Sequence, residues 1–255
     1  MKNNCASRLS TTLQTMKSIG QSNRHAKDAW TEFLSLKPES IKDSELMKKI
    51  AHSATLIAEE VELVREAMVS INSVDQKNYA KELDNIISTV DNYYSWGQSW
   101  GDFLRFVTPS TFTVLGFCAD LINQDEDILS DDEIQDIQSA VDAFEQSISE
   151  ADLPFEAKLF FNRQIGVMRQ ALADYRIIGI RAFHRYVHET GLVLMDFGAV
   201  AQAHQKSEHF KSMKSIFLKI RQAFDRVVSA EKFALTGARW YGYARTVWDI
   251  YRTLE

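Results

Sequence analysis

Proline is nearly absent. Pro38, Pro109 and Pro154 are the only three in 255 residues, so long stretches carry nothing that breaks a helix. Cysteine is as scarce. Cys5 and Cys118 lie far apart in no C-x-x-C or histidine-containing pattern, which excludes a disulfide scaffold or a thiolate metal cluster and predicts a reducing, cytoplasmic setting. No convincing run of alternating apolar and polar residues suggests a strand. The longest uncharged run lies between Arg105 and Asp120 and contains Pro109, well short of the roughly 18–20 apolar residues that a membrane-spanning helix needs. The opening MKNNCASRLSTTLQTMKSIG has no apolar core of signal-peptide length, so no secretion signal is expected. Also absent are a phosphate-cradling glycine loop, a G-x-S-x-G elbow and any other spacing that demands one chemistry.

What is present is helical periodicity. Apolar residues make up 45% of the chain and charged residues 25%, the balance of a globular protein with a core. Leu46, Ile50, Ala54, Ile57, Val61, Val64, Met68 and Ile71 recur in steps of three and four, and so predict one long amphipathic helix. Tyr79, Leu83, Ile86, Val90, Tyr93, Gly97, Trp100 and Leu104 predict a second. The polar turn between them makes the two an antiparallel hairpin. Ser130 with Glu133 is a capping box ahead of Ile134, Ile137, Val141, Phe144 and Ile148.

The stretch 154–197 reads as the central pillar. Ile165, Met168, Leu172, Tyr175, Gly179, Ala182 and Tyr186 share one face, and Ile177, Ile180, Val187 and Leu194 share another. A helix apolar on two faces is covered from both sides. The expected fold is therefore all-α, a bundle of about eight helices packed as antiparallel hairpins around 154–197. It reads as a single domain over 1–255, with a subdivision at 1–124 and 125–255 as the variant.

Charge is uneven. The chain's net −6 conceals −14 over residues 74–152 and +7 over residues 153–255. Acidic and basic helices that face one another, or that simply meet solvent, account for this pattern; a basic partner on the acidic middle, or an anionic one on the basic end, is the sharper alternative.

Three constellations bear on function. Trp96 and Trp100 fall in an irregular, glycine-bearing segment, and Trp240, Tyr241 and Trp248 crowd the last one. Tryptophan and tyrosine are enriched at binding hot spots, which makes these five the candidate partner-binding residues. His184 and His188 stand one helical turn apart, with His204 and His209 beyond them, but Arg185 occupies the place of a metalloprotease glutamate and adds positive charge. No metal and no cofactor are expected.

Arg181 and His188, with six residues between them, form the third. The pair resembles the motif of the HEPN family, all-helical domains that often cleave RNA as dimers in prokaryotic defence and toxin systems. The resemblance implies that Arg181 and His188 flank a scissile phosphate, with His188 in acid–base catalysis. It covers these two residues only, and Ala182 follows the arginine where the family usually carries a polar side chain. The first expectation is a non-enzymatic helical interaction or adaptor protein of bacterial style, whose partner is another protein or its own copy. A HEPN-like ribonuclease and a membrane-active helical effector, or its regulator, are the alternatives. The chain is acidic overall, which argues against nucleic acid as a simple ligand.

Overall fold

A computed structural model describes residues 3–19, 23–36, 42–71, 74–95, 97–123 and 128–227. Among these residues the chain is all helical. There are eleven α-helices and no strand, and the sole bridge pair is His25 with Ser99. The helices fall into two compact units. The first is Met1–Glu126 with Arg176–Ile178, and the second is Asp127–Tyr175 with Gly179–Glu255.

The first unit holds α1 (Cys5–Ser18), α2 (Ala26–Phe33), α3 (Asp43–Val69), α4 (Ala80–Asp91), the short α5 (Trp100–Phe103) and α6 (Pro109–Leu121). The α3 seam is as periodicity predicts, with Leu46, Ile50, Ile57, Val61, Val64 and Met68 all buried. Leu9, Leu13 and Met16 of α1 pack into the same unit with no exposed surface. A buried ion pair lies inside it. Arg8 donates from Nε and Nη2 to Glu60 Oε2 at 3.1 and 2.8 Å, and Glu60 is fully buried.

Asn4 joins the start of α1 to the end of α6. Its Oδ1 accepts from Ser7 N at 3.2 Å, and its own N–H donates to Ser7 Oγ at 2.9 Å, a reciprocal cap on α1. Its Nδ2 donates to the carbonyls of Ala119 and Ile122 at 2.9 and 3.2 Å, where α6 ends. Helix termini leave such carbonyls without intrahelical donors.

The predicted second helix of the hairpin does not run on to Leu104. Helix α4 stops at Asp91 and α5 begins only at Trp100. Distant backbone holds the segment between them: Ala26 N donates to Gln98 O at 3.1 Å and Trp100 N donates to Arg24 O at 2.6 Å. Pro109 sits at the first position of α6 behind a Thr108–Thr111 capping box, the place where a proline costs a helix nothing.

The second unit is built from α7 (Asp131–Glu150), α8 (Phe155–Ile178), α9 (Arg181–Asp196), α10 (Gly198–His204) and α11 (Glu208–Val227). Its four long helices form a bundle. Phe144 of α7 meets Phe161 of α8 edge-on at 5.9 Å, and Arg169 of α8 bonds Asp142 and Glu145 of α7. Phe183 of α9 lies 5.4 Å from Tyr175, Phe160 lies 6.0 Å from Phe197, and Tyr186 lies 5.9 Å from Phe217 of α11. Helix α11 in turn contacts α7. These pairings make α7 and α9 antiparallel to α8. The Ser130–Glu133 capping box opens α7 as its sequence predicts, with Ser130 N donating to Glu133 Oε2 at 2.8 Å.

The pillar is two helices rather than one. Gly179 has φ 59° and ψ −143°, a conformation almost closed to residues with a side chain. It ends α8 and reverses the chain. The apolar periodicities of α8 and α9 are nearly in phase across the break, so the stretch reads as continuous. Pro154 stands at the N-cap position of α8.

Candidate interaction surface

The inward face of α9 carries Ala182, Phe183, Tyr186, Thr190, Val193 and Leu194, all buried. Burial pushes the Tyr186 phenol far above its ordinary range. The opposite face carries Arg181, Arg185 and His188, each half-buried, followed by exposed Leu192 and Met195. A seven-residue spacing returns to nearly the same side of a helix after two turns, about 10 Å along its axis. Arg181 opens α9 and His188 follows on that same side. His204 and His209 stand off this face, each ring about 6 Å from buried Phe161. No group of three or more His, Cys, Asp or Glu able to hold a metal ion occurs among the described residues.

Trp100 is a core residue, which corrects its expected place on a contact surface. It is 2% exposed, stacks on Phe103 at 5.0 Å and meets Trp30 edge-on at 5.9 Å. Its indole Nε1–H donates to Met16 O at 2.9 Å. Apolar area and polar tip are both used inside the first unit. Trp96, Trp240, Tyr241 and Trp248 lie outside the described residues, as does the side chain of His184.

The exposed apolar side chains lie elsewhere, on residues the sequence did not single out. Phe155 is 79% exposed and Met195 74%, with Leu192 and Leu159 also open. Arg163 gathers them. Its guanidinium lies 5.3 Å from the Phe197 ring and reaches Asp196 Oδ2 at 3.5 Å, so this part of α8 runs beside the end of α9. Leu159 lies one turn before Arg163 and Phe155 two, while Leu192 and Met195 lie within one turn of Asp196. Four large apolar groups thus share one end of the α8–α9 pair. Scattered single exposures are ordinary; a contiguous group marks a contact surface.

Within the first unit, Cys118 and Tyr79 are the notable titratable groups. Burial raises the Cys118 thiol from 9.0 to about 11 and raises the Tyr79 phenol as well. Both changes disfavour the ionised nucleophile. No described helix is long and apolar enough to cross a membrane. No family model, no curated protein and no solved structure matches this chain.

Proposed function

We propose that the chain is a non-enzymatic helical interaction protein that works by association, in the cytoplasm, through the outward surface of α8 and α9. The observation that carries this reading is the exposure of Phe155, Leu159, Leu192 and Met195 within a few turns of one interhelical contact. Exposed apolar area of this kind is stabilised when a partner removes it from water. Cys5 and Cys118 are both buried and neither forms a disulfide, which supports a reducing compartment.

The test is site-specific photo-crosslinking in cells that express the full chain. A photoreactive residue at Phe155 or Met195 should give a discrete adduct, either with a copy of the chain or with another protein. One at Glu150, on an exposed polar position of α7, should give much less. Equal, diffuse labelling at all three positions would refute the proposal.

A second reading rests on one observation, that Arg181 and His188 share a partly open face of a single helix. In this reading the chain is a HEPN-like ribonuclease. His188→Ala should then abolish RNA cleavage by the purified protein while its circular dichroism is unchanged. Absence of cleavage by the native chain ends this reading.

A further inference from the structure

The outward face of α8 holds a seam that no described element of the chain fills. Phe155, Leu159, Asn162, Gly166, Arg169 and Ala173 follow one another at spacings of four, three, four, three and four. That spacing keeps all six on one face of the helix, with Phe155 and Leu159 its large apolar members. Five of the six are exposed and Arg169 is half-exposed, while the core residues Phe160, Phe161, Ile165 and Met168 point the other way.

Gly166 lies at the middle of this helix. A glycine inside a helix is destabilising relative to alanine. Here the missing side chain serves no contact with the described residues, because a Cβ at 166 would meet nothing within 4 Å. The open space there leaves room for a backbone to approach closely from outside.

Building on the association reading above, we infer that the occupant is the same face of a second copy, with the two α8 helices running parallel and crossing at Gly166. Charge selects both the partner and the direction. Helix α7 flanks α8 on one side and carries seven carboxylates with no lysine or arginine. Helix α9 flanks it on the other and begins with Arg181 and Arg185.

The acidic start of α7 and the basic start of α9 lie at the same end of α8. Leu129 N donates to Tyr175 Oη at 2.8 Å, and Tyr175 packs on Phe183. A two-fold axis along α8 therefore sets the acidic edge of each copy alongside the basic start of the other. Antiparallel copies would set acid against acid. Arg169 would meet its own copy across the axis, but it is drawn sideways by Asp142 and Glu145, which raise its pKa against the opposing effect of burial. Asn162 meets its copy too, and a seam asparagine can fix the register of paired helices.

Disulfide trapping of the full chain tests the geometry. Cys5 and Cys118 are buried, so new surface cysteines dominate mild oxidation. Gly166→Cys, Leu159→Cys and Ala173→Cys should each trap a covalent dimer on its own, because parallel helices bring like positions together. Trapping should be at least tenfold faster than for Glu150→Cys. Light scattering of the native chain should give twice the monomer mass at low salt, and less at high salt.

Two outcomes overturn the inference. One is trapping of 159 only when mixed with 173, which is the antiparallel result. The other is a monomeric native chain with no trapping at any of the three positions. A foreign adduct at Phe155 or Met195 together with that second outcome keeps the association reading and removes the second copy as its partner.

Discussion

Asn4 makes the sharpest stability prediction, because one side chain performs two separable tasks. As the N-cap of α1 it is worth about 1 kcal/mol over alanine. As a donor to Ala119 and Ile122 it satisfies carbonyls at the end of α6. Asn4 is 1% exposed, so water does not replace it, and an acceptor left buried without its donor costs about 1–3 kcal/mol. Asn4→Ala should therefore destabilise the first unit by about 2–4 kcal/mol.

Two further substitutions separate the tasks. Asn4→Ser keeps a cap and loses the donor, so it should fall between alanine and the native residue. Asn4→Asp caps a helix as well as asparagine does, yet it turns a carboxylate toward two carbonyls at the negative end of α6. It should be the worst of the three despite being an excellent cap. The assay is urea denaturation of the full chain, followed by tryptophan fluorescence and by circular dichroism. Aspartate equal to or better than serine would refute the idea that the amide of Asn4 holds α6. A loss below about 0.5 kcal/mol for alanine would refute both tasks.

Other consequences are as direct. Glu60→Ala should cost about 3–5 kcal/mol by leaving Arg8 half of a buried pair, and Arg8→Met with Glu60→Met should recover much of it, as a double-mutant cycle in urea would measure. The Cys118 thiol titrates near 9.0 when exposed and about 11 when folded. The folded state holds that proton more tightly, so its contribution is complete below pH 9 and declines between pH 9 and 11. The loss is about 2–3 kcal/mol, and Cys118→Ala should flatten that limb of the stability profile. Gly179→Ala should destabilise the second unit by about 1–3 kcal/mol through its strained backbone, whereas Gly198→Ala, in an open helical position, should cost nothing measurable by thermal melting.

Much of the fold is legible locally, because helix seams and caps are local. The α3 seam and the Ser130–Glu133 box each depend on residues within a turn or two. Trp100 is the opposite case. Its position depends on Arg24 and Met16, more than seventy residues away, and no spacing near Trp100 encodes them. The candidate surface is hidden for a related reason. Apolar periodicity identifies a seam without saying whether the chain itself fills it. Leu172 and Tyr175 read as core and are half-buried; Phe155 and Leu159 follow the same arithmetic and face water. Phe161 lies one turn before Ile165 on the first predicted face, whereas Phe160, equally buried, falls between the two faces.

The reversal at Gly179 decides what kind of object the surface is. One uninterrupted helix from Phe155 to Asp196 would run about 63 Å, with Leu159 and Met195 near opposite ends. Folding back makes them neighbours, so the surface is a discontinuous epitope. A peptide spanning 155–166 or 188–197 carries half of it in the wrong company. An antibody or partner selected on such a peptide should bind the folded chain weakly, and one selected on the folded chain should lose its target when the turn between α8 and α9 is cut.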